Sequence, residues 1–221
     1  MFHLEEDTSF IYTNIFKNQT LSTTDIIIHN RSTNRYRVSG GKNKACNSMI
    51  AGYYNKCLLH HNKYFRNKYV CRKCRLNEFS DQFLRLCTLL SDIYRQLDFD
   101  EWFQQKQEYD MIDDRFKIPN SVFTTVTLNY NLQCLPHFDK GNFRCKSIML
   151  VLGDFEGGEL VIDGRVNRLK NNDVIVIDGT KLHYNLPIKG NRISLVFYIR
   201  ENMSNKKNEV QIGKHLYLTD S

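Results

Sequence analysis

Pro136-His137-Phe138-Asp139, followed forty-four positions after the aspartate by His183, are the residues whose types and spacing could hold a redox-active metal. Side chains alternate along an extended chain, so His137 and Asp139 leave the same face and can reach one ion. A histidine from a distant strand would complete the set. Two imidazoles and one carboxylate on one face of an octahedron leave three positions open, the arrangement of non-haem Fe(II) oxygenases. Arg192-Ile193-Ser194 lies close behind. Arg192 and Ser194 share a strand face, and a guanidinium fork suits the distal carboxylate of a dicarboxylic 2-oxo acid. The open positions would then accept such a 2-oxo acid and O2.

A second constellation precedes it. Cys57-Leu-Leu-His60 and Cys71-Arg-Lys-Cys74 are two knuckle-like pairs ten residues apart, with Cys46 and His61 as alternatives. A tetrahedral Zn²⁺ needs four such ligands, and two-residue spacing lets a pair fold back onto one ion. Zinc is therefore expected here, with the ligand set drawn from Cys46, Cys57, His60, His61, Cys71 and Cys74. Reduced thiols that bind nothing are the other reading of the same residues.

The elements that would position these groups differ along the chain. Residues 1–40 hold short apolar pieces among Thr, Ser and Asn, which suggests strands and loops. Residues 41–78 form the basic Cys/His segment, expected to be a small module. Ser80 is a plausible N-cap, and Phe83, Leu84, Cys87, Leu90, Ile93, Tyr94 and Leu97 recur at spacings of three and four, which predicts an amphipathic helix to about 97. A shorter helix is expected over 100–107. From Val122 onward the pattern turns to β-branched and aromatic runs at 122–128, 147–152, 159–162, 174–177 and 193–199. Seven of the eleven glycines lie between Gly141 and Gly190 and punctuate these runs. This predicts a mainly β fold with supporting helices, a sandwich or barrel over residues 79–221. Gly153, Gly157 and Gly158 are expected to serve turns or close packing, Cys134 and Cys145 to be core or rim residues, and Trp102 to anchor a helix.

Composition bounds the function. The chain has 221 residues, 41% hydrophobic and 25% charged, enough for one domain with a small addition. No apolar run approaches the ~20 residues of a membrane-spanning helix. The acidic start MFHLEED lacks the basic head of a secretory signal, so an intracellular protein is expected. The net charge of +7 is uneven. Between Ile27 and Asn77 stand twelve basic residues and no Asp or Glu, leaving 19 basic against 24 acidic elsewhere. That polycation, interleaved with Tyr36, Tyr53, Tyr54, Tyr64, Phe65 and Tyr69, could neutralise phosphates and stack on bases.

Residues 123–200 resemble the 2-oxoglutarate/Fe(II)-dependent dioxygenases, and within them the TET/J-binding-protein group of nucleic-acid base hydroxylases, particularly its fungal and viral branches. The resemblance is carried by FTTVTLNYN (123–131), PHFDKGN (136–142), LGDFEGGEL (152–160), DGTKLHYNLPIKG (178–190) and RISLVFY (192–198). It implies a double-stranded β-helix, also called a jelly roll or cupin-like fold. It also implies Fe(II) on His137, Asp139 and His183, with the 2-oxoglutarate carboxylate on Arg192 and Ser194. By the same resemblance Asn129 stands beside 2-oxoglutarate and Asn142 against the target base. Leu132 departs from members that place a further basic co-substrate contact there, and the basic segment has no counterpart in the resemblance. The implied activity is hydroxylation of the methyl group of 5-methylcytosine or thymine in DNA. The alternatives are a protein hydroxylase of the prolyl type, an RNA-directed enzyme and a non-catalytic nucleic-acid-binding protein.

Overall fold

The computed structural model describes residues 1–4, 48–60, 63–73, 81–139, 141–201 and 203–204. Two sheets face one another. The larger has seven strands, β1 (Phe2–His3), β2 (Ser48–His60), β3 (Lys63–Lys73), β4 (Thr125–Tyr130), β5 (Ser147–Gly157), β8 (Asp173–Ile177) and β10 (Ile188–Tyr198), in the order β1-β8-β5-β10-β4-β2-β3. The smaller is β7-β6-β9, from Arg165–Asn167, Leu160–Ile162 and His183–Asn185. The strand pairings in both sheets are antiparallel among the described residues, as the alternating sequence and glycine-rich turns predict.

The period of two divides the large sheet into two working faces. Val126 and Leu128 of β4, Ile148, Leu150 and Leu152 of β5, and Ile193, Leu195 and Phe197 of β10 share one core with helix α1 (Asp81–Leu97). That helix buries Phe83, Leu86, Cys87, Leu90, Ile93 and Tyr94. Each such side chain, taken fully from water, stabilises the fold by roughly 1.5–3 kcal/mol. Trp102 of helix α2 (Phe99–Met111) packs against the same core and donates its indole N–H to the Ser91 hydroxyl at 3.2 Å, so it is the helix anchor expected of it. The opposite face, with Met149, Val151 and Val196, packs on Leu160 and Ile162 of the small sheet. The functional residues lie between these layers.

Several boundaries differ from those read in the sequence. The second helix runs from Phe99 to Met111 because Asp98, whose carboxylate accepts the Glu101 N–H, caps it earlier than expected. β5 continues beyond 152 to Gly157, since Gly153 takes a φ of 116° and its bare Cα lets the Asn191 carbonyl of β10 approach. Gly157 and Gly158, at φ of 73° and 68°, make the turn into β6. The basic segment contains the hairpin β2–β3, and residues 48–52 of β2 pair with β4, which ties the hairpin to the edge of the large sheet. Ser80 lies outside the described residues, as does most of 1–40.

Candidate metal centre and co-substrate pocket

His137 and His183 face each other as an isolated antiparallel bridge, each donating its backbone N–H to the other's carbonyl at 3.0 Å. This pairing joins the segment before β5 to β9 and brings the two rings to a centroid separation of 4.2 Å. Asp139 is not in a regular strand, yet the expected alternation holds. Its carboxylate lies 3.7 Å from His137 Nε2 through Oδ1 and 3.9 Å from His183 Nε2 through Oδ2. One ligand atom from each of the three residues lies within 4.8 Å of the others, and this is the one such cluster among the described residues.

The tautomers are settled by the backbone. His137 Nδ1 stands 2.7 Å from the Leu135 carbonyl and His183 Nδ1 stands 2.9 Å from the Lys181 carbonyl. A carbonyl only accepts, so each Nδ1 carries the proton and donates it. Both Nε2 atoms are thereby turned toward Asp139, the outer-shell arrangement that orients imidazole ligands on a metal. Two imidazole nitrogens and one carboxylate fit Fe(II) and leave positions for co-substrates.

Arg192 opens the second part of the site. It is 5% exposed, on β10, with its guanidinium 5.4 Å above the Phe155 ring on the face toward the small sheet. Its Nη1 donates to the Gly158 carbonyl at 2.6 Å and its buried Nε–H has no partner. Burial pushes the guanidinium down to about 10, so it remains a cation at neutral pH. A buried cation with an orphaned donor fits an incoming carboxylate, which would supply both counter-charge and hydrogen-bond acceptor. Ser194, two residues along the same face, is paired across the strands with Asn129 of β4. The residues named for co-substrate therefore share one surface.

Asn142 lies beside the metal centre, its Nδ2 at 3.4 Å from Asp139 Oδ2. Cys145 is buried and Cys134 half-buried, as expected of core and rim residues. Of the zinc candidates, three lie on the described hairpin strands. Cys57 pairs with Tyr69, Cys71 with Asn55 and His60 with Lys63 in the hairpin register. Cys46, His61 and Cys74 lie outside the described residues.

Three further residues shape this geometry without any periodic signature in the sequence. Gly179 accepts the Asp139 backbone N–H at 2.8 Å. Asn185, 8% exposed, accepts the Cys134 N–H through Oδ1 at 2.7 Å and donates to the Leu132 carbonyl at 3.3 Å, which ties the approach to His137 onto β9. Arg200 donates to Asn142 Oδ1 at 3.3 Å. Gly179 and Asn185 lie within DGTKLHYNLPIKG, one of the stretches that carry the family resemblance.

Comparison with known proteins places this architecture. The Tet_JBP family model, the oxygenase domain of the 2OGFeDO superfamily, matches residues 49–201. The chain belongs to this family. It is 27% identical over 194 residues to the bifunctional helicase and thymine dioxygenase JBP2 of Trypanosoma cruzi, covering 80% of this chain and 17% of that protein. It is 31% identical over 183 residues to JBP2 of Leishmania tarentolae, covering 76% of this chain and 16% of that protein. The match to thymine dioxygenase JBP1 of Trypanosoma brucei brucei is 28% over 172 residues, 70% of this chain and 19% of that one. The chain thus spans less than a fifth of these relatives. The solved structure of NgTET1 in complex with 5mC DNA superposes with a TM-score of 0.57 at 16% identity, over 76% of this chain and 68% of that one. The shared fold is the double-stranded β-helix of the 2-oxoglutarate oxygenases.

Proposed function

We propose that the chain is a 2-oxoglutarate- and Fe(II)-dependent dioxygenase that hydroxylates the methyl group of 5-methylcytosine or thymine in DNA. The observation that carries this reading is the convergence of His137, Asp139 and His183, with both imidazoles oriented through Nδ1 by backbone carbonyls, in a Tet/JBP oxygenase domain. Relatives named thymine dioxygenases support the choice of a base methyl as target.

His137, Asp139 and His183 would hold Fe(II), which when bound supplies the electrons that activate O2. Arg192, with Ser194 and Asn129 beside it, would anchor 2-oxoglutarate by its distal carboxylate and so turn the keto acid end toward the metal. The balance is one oxygen atom to the methyl C–H, giving a hydroxymethyl base, and one to the keto acid, giving succinate and CO2. A methyl group inside the base stack cannot reach a centre between two sheets, so the base must be flipped, and Asn142 would meet it there. The polycationic residues of 41–78 would hold the DNA backbone and offset the few kcal/mol of unstacking. Within that segment a zinc ion on Cys57, His60, Cys71 and Cys74, with Cys46 or His61 as alternates, would brace the hairpin. Metal analysis of protein purified without added zinc tests that part, with one zinc per chain as the expected result and none as the contrary one.

Incubation with Fe(II), 2-oxoglutarate and methylated duplex DNA, followed by digestion to nucleosides and mass spectrometry, tests the activity. 5-Hydroxymethylcytosine or 5-hydroxymethyluracil is the expected product. Hydroxylated peptide without any modified nucleoside would favour a protein hydroxylase instead.

A further inference from the structure

The last regular pair between β4 and β10 is Tyr130 with Ile193. At the next residue, Asn131, the chain leaves the strand with a φ of 47°, in the left-handed region that asparagine tolerates better than most side chains. Its contacts with Arg192 nonetheless reproduce a strand pair. The Asn131 N–H donates to the Arg192 carbonyl at 2.8 Å, and the Arg192 N–H donates to Asn131 Oδ1 at 2.7 Å. The side-chain oxygen stands in for the backbone carbonyl that the turn has carried away. In an antiparallel ladder a residue exchanges its N–H and its C=O with the same neighbour. Asn131 therefore engages both main-chain groups of Arg192, while Gly153, the β5 residue opposite Arg192, sends its own N–H to Asn171 Oδ1 at 2.8 Å. The guanidinium is held separately, by the Gly158 carbonyl at 2.6 Å and by the bare Cα of Gly158, where a Cβ would stand 2.7 Å from Nη1.

We propose that Asn131 is a positioning residue for the co-substrate anchor: its side-chain oxygen completes the β4–β10 ladder at Arg192 and fixes the backbone from which the guanidinium reaches 2-oxoglutarate. The inference rests on the reading of Arg192 as the carboxylate anchor. Without that oxygen the Arg192 N–H loses its acceptor, and Asn131 holds the backbone of a buried cation by one hydrogen bond in place of two. A guanidinium meets a carboxylate through a fork of fixed geometry, so a loosened backbone weakens carboxylate binding. The metal ligands do not depend on this contact. His137 and Asp139 are fixed by backbone hydrogen bonds to His183 and Gly179.

The test titrates 2-oxoglutarate into the Fe(II)-loaded chain without oxygen, by calorimetry, for the wild type, Asn131→Gly and Asn131→Asp. Glycine keeps the left-handed turn and removes the acceptor, whereas aspartate keeps both. The dissociation constant is expected to rise roughly five- to tenfold in the glycine variant, the worth of one net hydrogen bond. Aspartate is expected to restore most of the affinity, since Asn131 is exposed and solvent screens the added charge. Fe(II) affinity, from equilibrium dialysis, is expected to be the same in all three chains. A merely structural role would weaken Fe(II) and 2-oxoglutarate binding together. That result, an unchanged 2-oxoglutarate affinity in the glycine variant, or no recovery with aspartate overturns the inference. Amide hydrogen exchange at Arg192 in the metal-free chains gives a second reading, expected to be faster with glycine than in the wild type, and equal rates overturn the inference as well. Absence of 2-oxoglutarate binding in the wild type overturns the reading of Arg192 as the anchor and this inference with it.

Discussion

Gly179 and Asp139 are in contact so close that any side chain at 179 would press on the aspartate. The Gly179 carbonyl accepts the Asp139 N–H at 2.8 Å, and a Cβ built at 179 would stand 2.9 Å from Asp139 Oδ2 and 3.0 Å from its Cβ. The φ of Gly179 lies outside the left-handed region, so the need for glycine is one of space alone. The same turn, residues 178–181, provides the Lys181 carbonyl that orients His183. One turn thus positions two of the three ligand side chains.

Gly179→Ala should therefore displace the aspartate without unfolding the sheet. Fe(II) affinity, measured by anaerobic equilibrium dialysis, should fall by roughly 10- to 100-fold, the usual effect of disturbing a ligand's outer support. Thermal unfolding of the metal-free protein should change little. An unaltered affinity would show that the carboxylate is not confined by this contact.

Arg192→Met should raise the KM for 2-oxoglutarate strongly while leaving Fe(II) binding in place. In the wild type the burial that lowers the guanidinium to about 10 favours its neutral form. That shift contributes stability to the ligand-free fold only above the unfolded value, and the contribution is lost as pH falls through about 10. The carboxylate of the co-substrate needs the charged form. Its affinity should then vary little with Arg192 ionisation from pH 7 to 9, and fall as pH rises through about 10, as isothermal titration would show.

Asn185→Ala removes the acceptor of the Cys134 N–H and a donor to the Leu132 carbonyl. Loss of a buried hydrogen-bonding group costs about 1–3 kcal/mol, to be read from urea denaturation. The segment leading to His137 should also exchange its amide hydrogens faster. Equal exchange in variant and wild type would show that Asn185 does not hold this segment.

DNA affinity should depend steeply on salt, because the contacts assigned to residues 41–78 are with phosphates. Each lysine or arginine that neutralises one phosphate adds about 0.9 to the magnitude of the log–log slope. A flat response would remove this segment from DNA binding.

The sequence made parts of this site legible for a definite reason. The alternation of an extended chain put His137 with Asp139 and Arg192 with Ser194, and both pairings depend only on neighbours two residues apart. The helical spacing from Phe83 to Tyr94 is equally local, and α1 lies where that spacing put it. By contrast, β9 is only three residues long and β7 likewise, too short for an alternation to stand out. The hairpin β2–β3 leaves little alternation because Lys, Arg and Asn interrupt its apolar and aromatic residues at irregular spacing. Gly179, Asn185 and Arg200 act on partners 40, 51 and 58 residues away, and such contacts leave no periodic trace.

Anaerobic titration of the metal-free chain with Fe(II) in the presence of 2-oxoglutarate reads the proposed iron centre of His137, Asp139 and His183 directly. One tightly bound Fe(II) per wild-type chain is expected, with loss of that binding in His137→Ala, Asp139→Ala and His183→Ala, each variant still folded by circular dichroism. Full binding retained in any one of the three would contradict it.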